Sequence, residues 1–181
     1  GLIDKTGTEI VPPQYSYIDN FQNNIAKVEV GKTLYSSGAY GYIDKTGKEI
    51  IKPEYGEIED FENGVAWVRE KGKWGLIDST GRILIPFLYQ DVAWPKRFRC
   101  GVIPVKHGGK WGYINSSGQE IVSFQYEEAK NFNEGLALIK KGGKWGYIDI
   151  SGKEIIRAEL DFDEMKPFIG GIARVMKNSK W

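Results

Sequence analysis

The chain is short of the residues that most protein chemistry is built on. Among 181 residues there is one cysteine, Cys100, and one histidine, His107. A single thiol excludes an internal disulfide and any site made of several thiolates, so Cys100 is expected to be a small packed residue. A Ser-His-Asp triad would have to use His107, which lies in the turn-like stretch VKHGGK with no G-x-S-x-G or comparable nucleophile context. A solvated side chain is the simpler expectation there. No apolar run approaches the roughly 20 residues that a membrane-crossing helix needs. The formal charge of +1, from 25 basic and 24 acidic residues, gives no global electrostatic case for nucleic acid or an anionic lipid surface. The opening GLID has neither a charged n-region nor an apolar h-region, so no targeting segment is visible. Walker and dinucleotide glycine patterns are absent, as are EF-hand loops and the calcium-binding nonapeptide. No metal and no cofactor is expected.

What the chain does have is repetition. KWGYIDISGKEI from Lys144 has near-copies in KWGLIDSTGRIL from Lys73, KWGYINSSGQEI from Lys110, AYGYIDKTGKEI from Ala39 and GLIDKTGTEI from Gly1. The glycine that marks the phase recurs at Gly1, Gly41, Gly75, Gly112 and Gly146, with spacings of 40, 34, 37 and 34 residues. Trp181 announces a further copy, and the chain reads as a slice of a longer array. The expected organisation is one repeat domain, 1–181, in copies 1–40, 41–74, 75–111, 112–145 and 146–181. The irregularities are insertions: GKTLYSSGAY from Gly31 and AWPKRFRCG from Ala93.

Each copy reads as short strands. In the block that includes Gly64-Val65-Ala66-Trp67-Val68, period-2 alternation sends Ala66 and Val68 to the core. The position between them holds Lys27, Trp67, Pro104, Leu138 or Arg174, and this variability predicts partial exposure. A Gly-Lys turn leads into W-G-[YL]-I-[DN], where Trp145 and Tyr147 point one way and Ile148 the other, so both faces are apolar. Such a sheet must lie between two layers, here the neighbouring repeats. D-x-x-G then forms a tight hairpin. Its glycine supplies a positive φ, and Asp4, Asp44, Asp78, Asp149 or Asn115 accepts backbone N–H groups two or three residues on. The following E-I-I strand runs into a P-x-Y-x-x-[IV]-x-x-F stretch, read either as a fourth, outer strand or as an irregular or helical crossover. The fold class is all-β, with Trp74, Trp111, Trp145 and Trp181 as core. A propeller-like ring of small blades is favoured, with an open superhelical array or β-solenoid as the alternative.

The pattern [K]WG[YL]I[DN]xxGxE[IL][IV]xPxY…F…GxAxV, running through the whole chain, resembles the bacterial WG-repeat family, also called KWG repeats. Tyr40 stands where the first junction would have its Trp, and Leu160 replaces the Tyr of the last copy. The resemblance implies interaction or spacer modules attached to bacterial proteins, often envelope-associated ones, with no family-wide catalytic residue.

Every regular residue so far has a structural reason, which leaves recognition to the irregular ones. Paired carboxylates such as Asp149 and Glu154 recur along the array, and turn-capping explains them better than glycoside hydrolysis does. Trp67 with Arg69, and Trp94 with Lys96, Arg97 and Arg99, are aromatic-basic clusters off the repeat phase, and Tyr35 lies in the first insertion. These are the candidate binding residues. The expected function is a non-catalytic scaffold that presents variable loops to a protein partner. A glycan-binding module is the alternative, an enzyme ranks behind both, and nucleic acid is not an expected partner.

Overall fold

The computed structural model of the protein describes residues 1–31 and 38–181, and all of its regular structure is β, with twenty strands and no helix among the described residues. A two-stranded sheet of β1 (Leu2–Ile3) and β2 (Glu9–Val11) comes first. Four four-stranded meanders follow. They are β3 (Tyr17–Ile18), β4 (Ile25–Val30), β5 (Ala39–Asp44) and β6 (Glu49–Tyr55); then β7 (Glu57–Ile58), β8 (Val65–Glu70), β9 (Lys73–Asp78) and β10 (Ile83–Tyr89). The next two are β11 (Asp91–Val92), β12 (Val102–His107), β13 (Lys110–Asn115) and β14 (Glu120–Tyr126); then β15 (Glu128–Ala129), β16 (Ala137–Lys141), β17 (Lys144–Ile148) and β18 (Glu154–Leu160). The pair β19 (Glu164–Met165) and β20 (Val175–Met176) comes last, and among the described residues no sheet closes into a barrel. The described residues form two compact units, Gly1–Phe87 and Leu88–Trp181, each taken by itself below.

The hydrogen-bonded sheet is out of phase with the sequence repeat. Strand β16, from the end of one copy, pairs with the W-G strand β17 of the next, with Ile139 opposite Gly146 and Lys140 opposite Trp145. The P-x-Y stretch is the continuation of the third strand rather than a separate element: β6 and β10 run on through Pro53 and Pro86 to Tyr55 and Tyr89. Proline is tolerated because β6 and β10 are the edges of their sheets. A two-residue strand then starts the next sheet.

The Trp-Gly pair is explained by a bulge in that edge strand. Between Trp111↔Tyr126 and Tyr113↔Val122 the strand β14 advances four residues while β13 advances two. The extra backbone folds over Gly112, where a Cβ would lie 2.7 Å from Val122 O and 2.8 Å from Phe124 Cδ1. At Gly41 and Gly146 the same contacts are 2.4 Å to Ile51 O and 2.7 Å to Ile156 O. Only glycine lets the strands approach this closely.

The D-x-x-G hairpins carry one design throughout. Asp44 Oδ1 accepts the Thr46 N–H at 2.8 Å, the Thr46 hydroxyl at 2.6 Å and the Lys48 N–H at 3.1 Å. The backbone donors are therefore two and four residues on, rather than two or three. Asn115 makes the equivalent set from Ser117 N–H, Ser117 Oγ and Gln119 N–H at 3.0, 2.7 and 3.0 Å. The hairpin glycines Gly7, Gly47, Gly81, Gly118 and Gly152 have φ between 79° and 85°.

Neighbouring sheets supply each other's cores. In the first unit Ala26, Val28 and Ile43 pack with Val11, while Tyr42, Ile51 and Tyr55 pack with Ala66, Val68 and Ile77 of the following sheet. In the second, Tyr113, Val122 and Tyr126 meet Ala137, Ile139 and Ile148, and on the other face Leu138, Trp145 and Tyr147 meet Met165. The tyrosine of W-G-Y reaches the loop of the next sheet. Tyr113 stands 5.1 Å from Phe132 and donates to Lys130 O at 2.8 Å; Tyr147 stands 4.7 Å from Phe168 and donates to Lys166 O at 2.8 Å.

Three expectations are corrected by this packing. The variable position of the G-x-A-x-V strand is not a surface position: Trp67, Pro104 and Leu138 are buried, Lys27 is half-buried and, of the five, only Arg174 is exposed. The phased tryptophans divide: Trp74 and Trp145 are core, Trp111 is half-buried and Trp181 is 60% exposed. Cys100 is exposed rather than packed, because it sits at the tip of a two-residue turn with φ 53°, followed by Gly101 at 79°.

Candidate functional site

The loop before each G-x-A-x-V strand ends in the same turn, closed by reciprocal bonds such as Asn133 N–H to Leu136 O at 2.9 Å and Leu136 N–H to Asn133 O at 3.0 Å. Successive loops of the second unit are also tied to one another. Glu134 accepts the N–H groups of Gly170 and Gly171 at 2.6 and 3.0 Å, and the Asn133 amide donates to Phe168 O. Loop chemistry varies on this constant frame.

Loop 93–99 is the most unusual of them. Ala93 N–H bonds Pro104 O at 3.0 Å, the Trp94–Pro95 peptide is cis, and Arg97 N–H turns back to Pro95 O at 2.7 Å. From the next loop, the Asn131 amide donates to Trp94 O at 3.4 Å and Pro95 O at 3.3 Å. Its Oδ1 is buried and takes no hydrogen bond among the described residues. The backbone is thereby pinned from two sides while the Trp94 indole stands 83% exposed.

Beside it opens a cleft of about 630 Å3 whose lining includes Trp94, Arg99, Trp111, Asn131 and the apolar Pro167 and Ile169. Lys130 lines it too, bonded to Glu128 at 3.2 Å, and Asp91 is the other acid. Cations and two indoles on one concave surface suit an apolar anchor with an acidic neighbour. Burial pushes the Tyr113 and Tyr147 phenols above their ordinary range, so both are neutral donors that hold the loops.

The other candidates fall elsewhere. Trp67 is 3% exposed and leaves the surface set. Arg69 bonds Glu57 at 2.6 Å, with its guanidinium 5.8 Å from the Trp74 ring, which occupies it within the sheet. Trp94 and Arg99 share the cleft; Lys96 is half-buried and Arg97 exposed on the same loop. Tyr35 lies outside the described residues. Trp111 was not legible as a cleft residue, because it has the same phase as core tryptophans. His107 ends β12 exposed, with Nδ1 3.2 Å from Leu88 O and its ring 5.5 Å from Phe124. Among the described residues no three His, Cys, Asp or Glu side chains are grouped to hold a metal ion, and no helix is long and apolar enough to cross a membrane.

No curated protein and no solved structure matches the chain. The sequence pattern described as WG containing repeat matches residues 1–33, 40–74, 74–111, 111–145 and 145–181, so nearly the whole length is accounted for in five copies. With the meanders, the bulge over glycine and the capped hairpins all repeating in that register, the chain belongs to the WG-repeat family.

Proposed function

We propose that this WG-repeat chain is a non-catalytic interaction scaffold that captures an extended segment of a protein partner at the Trp94 cleft. The observation that carries the reading is an indole 83% exposed on a loop whose backbone is held by Asn131. Exposing a large aromatic on a pinned loop loses hydrophobic stabilisation and gains the fold nothing. A partner that covers it recovers that loss, with little ordering entropy left to oppose binding. The segment that fits has an aliphatic or proline side chain to lie between Trp94 and Ile169, and a carboxylate for Arg99, since Lys130 is already bonded to Glu128.

Panning a random peptide display library on the whole chain tests the proposal. The expected result is an enriched apolar-acidic motif whose synthetic peptide loses about tenfold or more in affinity on Trp94→Ala and on Arg99→Glu. Failure to enrich any motif, or peptides that bind both variants as well as the parent, would overturn it.

A further inference from the structure

The first unit has a cleft of different chemistry. It has a volume of about 790 Å3, within the roughly 300–1,000 Å3 of small-ligand sites, and no tryptophan lines it among the described residues. We infer that this cleft binds a neutral oligosaccharide, through the carboxamides and hydroxyls of loops 19–25 and 60–64 and the hairpin at Ser79–Thr80, over a floor of Ile25, Ile50 and Phe61.

The argument begins with how the loops are set. Each ends in a two-residue turn whose first residue is an asparagine, Asn23 at φ 49° and Asn63 at φ 51°, a conformation that asparagine adopts more readily than most residues. The turn accounts for the residue type and leaves both side-chain amides at the cleft. Lys27 of β4 reaches across to Asp60 at 2.8 Å, and Ser79 N–H bonds Gly64 O at 3.1 Å, so the walls are tied together. Phe61 is braced edge-on by Tyr42, with ring centroids 5.0 Å apart and planes at 67°, while the Tyr42 hydroxyl is turned to Glu59 O at 3.4 Å.

The charges then restrict the ligand. Asp19, Glu49 and Asp60 against Lys27 and Lys48 leave one net negative charge on the lining. A phosphate, sulfate or uronate would enter against that field, with Lys27 already paired. What dominates instead is groups that both donate and accept, the amides of Asn20, Gln22, Asn23 and Asn63 and the Ser79 hydroxyl, beside the Thr80 hydroxyl, which donates to Asp78 Oδ1 at 2.6 Å and can only accept from a ligand. Sugar hydroxyls have the same double character. Asp19 Oδ1 takes the Asn20 N–H at 2.7 Å, and a carboxylate has further lone pairs for a ligand hydroxyl. The C–H face of a pyranose needs apolar surface, and the half-buried Ile25, Ile50 and Phe61 are the apolar side chains of the lining that can supply it. A peptide anchor, by contrast, calls for a large exposed aromatic such as Trp94.

The test is saturation-transfer NMR of the whole chain with soluble cello-, xylo-, malto-, galacto- and chito-oligosaccharides, followed by titration of any that respond. Asn20→Ala combined with Asn63→Gly removes two amides and keeps the positive φ at position 63. The expected result is binding of at least one neutral series, weakened about tenfold or more by the double variant at an unchanged melting temperature, and unaltered by Trp94→Ala. No response from any neutral series, equal binding by the double variant, or loss of binding on Trp94→Ala would each overturn the inference. Because Trp94→Ala is the variant that weakens peptide capture, failure here and failure of the scaffold proposal are read separately.

Discussion

Strand β8 and loop 93–99 each place a tryptophan two positions before a basic residue, Trp67 before Arg69 and Trp94 before Lys96, yet the two indoles have opposite surroundings. Trp67 is 3% exposed and Trp94 is 83% exposed. In β8 the backbone is paired on both sides, to β7 and β9, so alternation assigns each side chain to a packed face. In the loop, Pro95 has no N–H to give a ladder, and the chain is held by Asn131 instead. The same local composition is structural where the backbone is ladder-bound and available for recognition where a side chain holds it. The sharpest way to break the comparison is to truncate both. Trp67→Ala should cost about 3–5 kcal/mol in urea unfolding, whereas Trp94→Ala should stay within about 0.5 kcal/mol while losing peptide capture. Equal costs would mean the two indoles are not different in kind.

A second contrast separates glycines that admit neighbouring backbone from glycines that turn the chain. Gly112→Ala drives a Cβ to 2.7 Å from Val122 O, on a strand that cannot move without losing its bulge, and should destabilise by about 3 kcal/mol. At Gly143, with φ 75° and nothing within 4 Å of a Cβ, alanine meets only the left-handed penalty of about 1–2 kcal/mol. If the order reversed, the bulge would not be the reason for the Trp-Gly pair.

The tyrosine links allow a finer test. The Tyr147 hydroxyl donates to Lys166 O at 2.8 Å, and the Tyr42 hydroxyl to Glu59 O at 3.4 Å. Removing the hydroxyl leaves each ring packed against its phenylalanine, so Tyr147→Phe should cost about 1 kcal/mol and Tyr42→Phe less. Urea midpoints compared under identical conditions would show the difference.

Much of this fold could be read from periodicity. The Trp-Gly phase, the apolar character of both faces and the D-x-x-G turn all report local geometry, which a short window of sequence encodes. The offset between copy and sheet could not be read, because it depends on which strand β16 pairs with rather than on what β16 contains. Trp67 shows the limit at the site. Its position varies from copy to copy because each layer is filled by a different side chain, and that variation imitates the freedom of a surface. Cys100 was misplaced for a related reason: what matters at a turn tip is tolerance of positive φ, not size or polarity. Trp94 was singled out by its departure from phase, but nothing local marks Trp111 or Asn131 as its neighbours, since Trp111 obeys the repeat and the position of Asn131 holds Asn20, Asp60, Arg97 or Pro167 in the other copies.

The smallest expected effect is the most specific, and it compares hairpins that share one hydrogen-bond pattern. Asp149 accepts the Ser151 N–H and hydroxyl and the Lys153 N–H at 2.9, 2.6 and 3.1 Å, and Asn115 accepts the matching three with no charge. The bond from the Ser151 hydroxyl, with smaller help from backbone N–H groups, holds the Asp149 carboxyl below its ordinary value of 3.8. At Asp78 the Thr80 hydroxyl is the largest cause, and the value falls to about 2. A carboxyl lowered on folding binds fewer protons in the native state than in the unfolded one. Its contribution is therefore complete above the ordinary value and is lost as pH falls through the folded value. Asp149→Asn should keep the three bonds, leave stability near neutral pH almost unchanged and flatten the decline as pH falls below the ordinary carboxyl value of 3.8. Asn115→Asp should steepen it. Urea midpoints across that range decide the matter: parallel curves for the parent and both variants would mean that the hairpin carboxyls are spectators, and that geometry alone, which Asn115 supplies equally well, turns the chain.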